Sequence, residues 1–235
     1  MKKPTLHIIT EGGIDYQIGE IKNNCIHYDF DKMLIYMEAK GKILFGNHFK
    51  IHEEDKNIIF KLCIYTIQDL DYCAKLGLDP NKGILLTGPV GCGKTSLMKL
   101  LRHLTPHRRA YKMIPCRNAV FSFNHLGYKT IQDYGGEEFY CFDDLGVEPN
   151  GRHYGQDCNV MGEILLSRYD LSSKVRGFQK SNSQQQIAKG YHKTHVTTNL
   201  NAQELEERYG NRVRSRMRQM FNLVSFDAKS VDKRS

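Results

Sequence analysis

The chain has 235 residues, 40% of them hydrophobic, and a mean hydropathy of −0.52. That length supports one large domain with a real core, or one domain with a small appendage, and is too long for a disulfide-stapled miniprotein. Its longest apolar runs are four or five residues, against the roughly 20 that span a bilayer, so a membrane-spanning protein is excluded and a soluble one expected. No apolar segment follows Lys2 and Lys3, so no secretory leader is read and the expected compartment is the cytoplasm.

The net charge is +8, from 34 Lys and Arg against 26 Asp and Glu. Residues 1–173 hold 21 of each sign, whereas residues 174–235 hold 13 basic and 5 acidic side chains. Such an asymmetry suits a polyanionic partner, nucleic acid or nucleotide phosphate, although a solvated basic face has the same composition. The seven cysteines contain no Cys-x-x-Cys pair, which removes the spacing of zinc ribbons and of thioredoxin chemistry. Cys63, Cys116 and Cys141 lie in apolar runs and read as small hydrophobes in a reducing compartment.

In chain order, residues 1–52 are weakly patterned, with Met33-Leu34-Ile35-Tyr36-Met37 as their compact apolar cluster, and read as a small N-terminal accessory region. Ile58, Ile59, Leu62, Cys63, Thr66, Leu70 and Cys73 recur at spacings of three and four, which predicts one helix over residues 53–76, ended by Gly77 and Pro80. Short apolar runs at 84–86, 111–114, 139–142 and 195–197 predict strands, and amphipathic stretches at 95–104, 119–134 and 160–171 predict helices between them. That alternation means βαβ units and a parallel sheet with helices on both faces. Residues 174–193, polar, basic and aperiodic, read as a long exposed loop. Leu205, Tyr209, Val213, Met217 and Met220 then mark a helical stripe with Gly210 as a possible break, and residues 222–227 a last strand.

Gly88-Pro89-Val90-Gly91-Cys92-Gly93-Lys94-Thr95 matches G-x-x-x-x-G-K-[ST] in full, follows a strand and, through Ser96, opens a helix, the context that gives the motif its meaning. Glycines let the loop wrap so that successive N–H groups face phosphate oxygens, and the helix N-terminus adds positive potential. ATP with Mg²⁺ is the expected ligand: Lys94 reaches the β and γ phosphates and the Thr95 hydroxyl holds the metal. Cys92 sits at a variable loop position and reads as tolerated rather than redox-active. Further on, Phe139-Tyr140-Cys141-Phe142-Asp143-Asp144 delivers two carboxylates from the end of an apolar strand, where parallel sheets bind ligands. Asp143 is expected on the Mg²⁺ and Asp144 on the attacking water; a pair of solvent-facing turn carboxylates is the plain alternative. Val196-Thr197-Thr198-Asn199 ends another strand; by itself Asn199 reads as a cap or turn residue, but its place after loop and acid pair makes it a candidate to orient water.

These segments, with Phe142-Asp143-Asp144-Leu145-Gly146, Thr197-Thr198-Asn199-Leu200 and Glu207-Arg208-Tyr209-Gly210-Asn211-Arg212-Val213 followed by Ser215-Arg216-Met217, resemble the AAA+ ATPases of the DnaC/DnaI helicase-loader and IstB transposition-helper group over roughly residues 55–232. The resemblance implies a three-layer α/β P-loop NTPase of the ASCE type with a central parallel sheet and a reduced C-terminal lid, so that residues 53–235 form the ATPase domain. It implies that Asn199 senses the γ phosphate, that Arg212 is an arginine finger acting on ATP held by a neighbouring copy, and that Arg216 is a second sensor, with Arg208 competing for either role. Independently, Arg208, Arg212 and Arg216 are spaced by four and so would share a face of one helix; paired with Glu204 and Glu207 they would be an ordinary surface row. The chain departs from the group in the length between Asp144 and Asn199 and in residues 1–52.

The function expected is a slow, ATP-dependent switch that works as a homo-oligomer when ATP-bound, assisting DNA replication at a replicative helicase. The alternatives are a transposition helper acting with a transposase, or a nucleotide-dependent adaptor that recruits a protein without turnover; a small-molecule kinase fits the Thr-Thr-Asn and arginine segments less well. DNA, single-stranded by preference, is a candidate partner through Arg102, His103, His107, Arg108, Arg109 and Lys112 and the 174–193 loop. Phe121, Phe123 and Tyr128 follow that basic cluster, as stacking platforms or, by their spacing, core residues.

Overall fold

A computed structural model describes residues 6–179 and 193–233, with the backbone alone for 173–179. The chain separates into two compact units, one of residues 1–80 with 96–110, the other of 81–95 with 111–235.

The first unit opens with two antiparallel hairpins, β1 (Ile8–Glu11) with β2 (Ile14–Gln17) and β3 (Gly19–Lys22) with β4 (Cys25–Tyr28). Gly12-Gly13 and Asn23-Asn24 turn them, all four residues at positive φ, the two-residue geometry whose twist matches paired strands. Helix α1 (Phe30–Phe45) follows, capped by Asp29, whose side chain accepts from the Lys32 N–H; the cluster Met33, Leu34, Tyr36 and Met37 is its buried side. Lys40 of α1 pairs with Glu11 of β1 at 2.7 Å. The helix predicted over 53–76 is instead a short 3₁₀ turn (Glu53–Asp55), α2 (Lys56–Ile67) and α3 (Leu70–Lys75). Gln68 takes a left-handed conformation that ends α2, and Asp69 caps α3 by accepting from the Tyr72 N–H; an Asx cap competes with helix continuation, so Leu70 is exposed rather than part of the stripe.

In the second unit, β5 (Gly83–Thr87) leads into the glycine loop and α4 (Lys94–Leu101), which continues into the first unit's sequence. Then come β6 (Lys112–Pro115), α5 (Cys116–Leu126), α6 (Tyr128–Gly135), β7 (Tyr140–Asp143), the hairpin β8 (Gly151–His153) with β9 (Gln156–Cys158), α7 (Val160–Gln179), β10 (Thr194–Thr198), α8 (Ala202–Met220) and β11 (Phe221–Ser225). The helix predicted over 119–134 is two, broken at Gly127 (φ 59°, ψ −139°). The loop predicted from residue 174 begins instead as the last turns of α7, which runs to Gln179; residues 180–192 lie outside the described residues.

Five parallel strands form the sheet, in the order β11-β5-β10-β7-β6. Every residue of β7 and β10 is buried, and β5 is buried up to Thr87, whereas the edge strands β6 and β11 are partly exposed. Continuous apolar runs are what a parallel strand covered on both faces requires, and α5, α6, α7 and α8 supply much of the core packed with Leu85, Phe142 and Val196. The chain after β11 adds residues 226–233 with no further helix among the described residues. Nor is any described helix long and apolar enough to cross a membrane.

Two polar groups are built into this sheet without any sequence cue. Arg168 of α7, 1% exposed, donates to the carbonyls of Tyr134 (3.0 Å), Gly136 (2.7 Å) and Glu138 (2.8 Å), to the Thr194 hydroxyl, and lies over the Tyr140 ring. Burial lowers its pKa to about 10, so it stays charged at neutral pH. His195 of β10 accepts the Ile84 N–H on Nδ1 at 3.1 Å, which fixes the neutral tautomer protonated on Nε2. Burial first, then the Lys193 and Arg168 charges, push its pKa down from 6.5 to about 3. Between those two values the unfolded chain holds a proton that the folded chain refuses, so the stability present above pH 6.5 is lost as pH falls toward 3, by up to about 1.4 kcal/mol per pH unit. In His195→Asn the amide oxygen can still accept from Ile84 but does not titrate; urea unfolding at pH 7 and pH 5 should show a smaller acid loss in the variant than in the parent chain. Equal losses would assign the acid sensitivity elsewhere.

Candidate functional site

Parallel register fixes which loops meet. Thr198 is opposite Thr87, and Val196 is opposite both Leu85 and Phe142. The carboxyl ends of β5, β7 and β10 therefore lie side by side, bringing Gly88, Asp143 and Thr197 to one edge of the sheet, with Asn199 just beyond.

The glycine loop is tightly folded. Lys94 is 6% exposed; its Nζ donates to the Gly88 and Pro89 carbonyls, 2.7 Å each, and lies 3.8 Å from Cys92 Sγ. No carboxylate pairs with this ammonium among the described residues. A buried cation held only by its own loop's carbonyls is an incomplete arrangement, which an entering polyanion completes. Cys92 is fully buried and packs inside the loop, away from solvent oxidants. Gly91, at φ 79°, has no room for a side chain, since a Cβ there would come 2.1 Å from Asp232 Oδ1. The segment that places Asp232 runs back along the loop, with Phe226 N–H donating to Thr87 O at 2.8 Å and Lys233 N–H to Gly91 O at 3.1 Å. Nothing in its composition marks that segment as a neighbour of the loop.

The acid pair divides. Asp143 is buried, and its carboxylate accepts from the Thr95 hydroxyl (2.9 and 3.1 Å) and the Thr197 hydroxyl (2.7 Å). Asp144 is exposed, at φ 57°; the left-handed region is one that Asp and Asn tolerate better than most residues, and strained residues cluster at functional sites. Asp143 and Thr95 are hard oxygen donors in direct contact, a set that fits Mg²⁺ completed by water and phosphate oxygens. Thr197 Oγ1 also accepts the Asp144 N–H (2.9 Å), Leu145 N–H donates to Thr197 O (2.8 Å), and Thr198 Oγ1 donates to Leu145 O (2.6 Å). The hydroxyls of Thr197 and Thr198 thus clamp the Asp-Asp turn to β10, a role that sequence reasoning assigned to neither. Two threonines at the end of an otherwise apolar buried strand were the available signal, because a buried hydroxyl must find a partner. Asn199 is exposed at the same edge. The cap of α8 is Asn201, whose side chain accepts from Gln203 and Glu204 N–H groups in a full capping box with Glu204, so Asn199 is not consumed in capping.

The three arginines do not share one helix face. Gly210 interrupts α8 with φ 80° and ψ 160°, a conformation open essentially to glycine alone, and it separates Arg208 from Arg212 and Arg216. Arg208 donates to Glu148 O (2.5 Å) and Asn150 Oδ1 (3.0 Å). Arg216 lies over the Tyr169 ring, 4.4 Å from its centre, and donates to its hydroxyl at 3.3 Å. Arg212 is exposed. Glu204 serves the capping box and Glu207 accepts from Gln203, so the pairing of a plain surface row is not what forms. The apolar stripe is as expected: Leu205, Tyr209, Val213, Met217 and Met220 are all buried.

Part of the basic cluster is engaged within the fold. Arg108 donates to the carbonyls of Thr66 (3.1 Å) and Ile67 (3.2 Å) at the end of α2. Lys112 pairs with Glu138 at 3.2 Å. Burial, then neighbouring cations, lower the pKa of His103 and His107, so neither adds positive charge at neutral pH. Phe123 is core, while Phe121 and Tyr128 are exposed.

No known family profile matches the chain. Among solved structures, a Streptococcus pyogenes serotype M3 protein described as a candidate primosome component superposes with a TM-score of 0.50 at 15% identity, covering 77% of this chain and 83% of that one. What this likeness shows is the fold, a central parallel sheet flanked by helices in a three-layer α/β arrangement. Within it, β10 lies between β5, which leads into the glycine loop, and β7, which carries Asp143. The DnaC helicase loader (TM-score 0.49, 17% identity, 75% and 92% covered) and AMPPCP-bound DnaA from Aquifex aeolicus (TM-score 0.46, 17%, 76% and 48%) are more distant likenesses. In sequence, 105 residues, 45% of this chain, are 29% identical to the proteasome-activating nucleotidase of Methanococcus vannielii. The match spans only 25% of that protein's length.

Proposed function

We propose that this AAA+ chain binds and hydrolyses ATP as a molecular switch that assists DNA replication at a replicative helicase, with residues 53–235 as its nucleotide domain and residues 1–52 as an accessory region. One observation carries the nucleotide reading: a buried Lys94 ammonium, without a carboxylate partner among the described residues, sits on a loop beside the hydrogen-bonded Thr95, Asp143 and Thr197 set. Lys94 and the loop N–H groups would take the phosphates, and Thr95 and Asp143 the Mg²⁺. Bound there, Mg²⁺ would neutralise charge on the phosphate oxygens. Asp144, exposed at the strand end, is placed in the role of polarising water, and Asn199 in that of sensing the γ phosphate. The replication assignment rests on the helicase-loader motifs, and the description of the Streptococcus pyogenes protein as a candidate primosome component is in keeping with it.

Arg212 is the arginine finger in this reading, because Arg208 is engaged by Glu148 and Asn150, and Arg216 by Tyr169. It would act on a neighbouring copy, so turnover is slow until the chain oligomerises. Single-stranded DNA contact would draw on Arg102, Arg109 and the basic residues from 174 to 193.

Asp144→Asn separates chemistry from binding, since Asn tolerates the same positive φ. The variant should keep its ATP affinity within about threefold and lose about 100-fold or more in turnover. Should it hydrolyse ATP like the parent chain, Asp144 is not the water-polarising group; if it performs the full cellular task without turnover, the chain is an adaptor. Arg212→Ala should abolish the rise of specific ATPase activity with protein concentration, while Arg216→Ala keeps that rise. Wild-type behaviour of Arg212→Ala would remove the intersubunit role.

A further inference from the structure

We infer that Glu148 and Tyr209 are positioning residues, a buried link that ties the turn carrying Asp144 to the helix segment carrying Arg212 and so sets the rate of turnover without touching the nucleotide. The inference rests on the ATPase reading above for its main readout.

The two residues are 61 positions apart, and both are buried, Glu148 at 4% and Tyr209 at 6% exposure. A carboxylate removed from water is costly unless each oxygen finds a donor. Here each does: Oε1 accepts the Tyr209 hydroxyl, and Oε2 accepts the Gly146 N–H at 2.8 Å. The backbone joins in, as the Glu148 carbonyl accepts from Arg208 and the Arg208 carbonyl accepts from Asn159 Nδ2 at 2.9 Å. Burial, and next the Glu148 charge, raise the Tyr209 pKa, so the phenol remains a donor across the working pH range.

Each end of this link abuts a part of the candidate site. Gly146 is two residues past Asp144 and packs against Leu200, the neighbour of Asn199, closely enough that a Cβ on it would lie 2.2 Å from Leu200 Cδ1. Tyr209 immediately precedes Gly210, where α8 breaks, so the phenol anchors the fixed side of the kink from which the Arg212 segment departs. Among the described residues the side-chain hydrogen bonds of Glu148 and Tyr209 run to Gly146 and each other, and the Glu148 carbonyl bonds to Arg208, away from the loop from Gly88 to Thr95. A change at the link therefore moves the acid turn and the arginine relative to the loop and leaves the phosphate contacts intact.

Three variants isolate the link. Tyr209→Phe deletes one hydroxyl and keeps the ring in the core. Glu148→Ala deletes both side-chain bonds. Glu148→Gln can keep both, its carbonyl accepting from Gly146 and its NH₂ donating to the Tyr209 oxygen. With Mg-ATP at a protein concentration that supports hydrolysis, Tyr209→Phe and Glu148→Ala should lower kcat by about tenfold while the Kd values for ATP and ADP stay within about twofold, and Glu148→Gln should stay within about threefold of the parent kcat. The double variant Glu148→Ala with Tyr209→Phe should be no slower than Glu148→Ala alone, because the two act through one bond. An unchanged kcat in Tyr209→Phe, multiplicative losses in the double variant, or a Glu148→Gln as slow as Glu148→Ala would each overturn the link. If the unsubstituted chain hydrolyses no ATP under any condition, the ATPase reading fails by itself, and amide hydrogen exchange decides the link. Tyr209→Phe should then speed exchange at Gly146 by about tenfold with the β5 and β10 amides unchanged; equal exchange at Gly146 overturns it.

Discussion

Replacing Lys94 with methionine is expected to weaken ATP binding by about 100-fold or more, close to 3 kcal/mol, with little change in the urea midpoint. The stem of Lys94 is buried and methionine fills much the same space, whereas the ammonium is held by two carbonyls of its own loop. Its loss costs the fold two hydrogen bonds but would cost a nucleotide bound there a buried countercharge, and in a site of low dielectric the second effect is the larger. Calorimetric titration with ATP and with ADP reads the difference, and the deficit should be greater for ATP if Lys94 reaches the γ phosphate as proposed. Retained affinity would remove the phosphate assignment for the whole loop.

The second large effect concerns stability. Arg168→Met is expected to destabilise the sheet unit by about 3–5 kcal/mol, lowering the unfolding temperature by about 10 °C. Three carbonyls, those of Tyr134, Gly136 and Glu138, lose the guanidinium that reaches them together, and methionine offers no donor. Because these carbonyls run from the last turn of α6 to the start of β7, the acid strand should loosen first, visible as faster amide exchange in β7 than in β11. A loss below about 1 kcal/mol would mean that water replaces the arginine at little cost.

How far the site was readable follows from how each residue does its work. The phosphate loop and Asp143 could be placed from sequence because their chemistry is local: glycines, a lysine and a threonine at fixed spacing, then a carboxylate at the end of an apolar run. Thr197 was passed over in favour of its neighbour Asn199, since a hydroxyl's value depends on what faces it, and Asp143 is 54 positions away. The hairpins of residues 8–28 went unread although Gly12-Gly13 and Asn23-Asn24 carry the positive φ that two-residue turns need; their strands are only four residues long and weakly alternating. Helices were overextended at 68–69 and at Gly127, where a cap or a glycine outweighed an apolar period that continues across the break.

Alone, the amino-acid sequence determined the strand–helix alternation that builds the parallel sheet, the glycine loop, the acid pair and the basic excess after residue 173, because each is a property of neighbours along the chain. Only the tertiary structure decided which of those groups cooperate. Parallel register set Thr197 on Asp143. Burial made a neutral His195 and an Arg168 that gathers three carbonyls and a hydroxyl. A single glycine at 210 turned a row of three arginines into one engaged by Glu148, one stacked on Tyr169, and one, Arg212, left exposed. Hydrogen bonds and desolvation act through distance in space, which spacing along the chain does not encode.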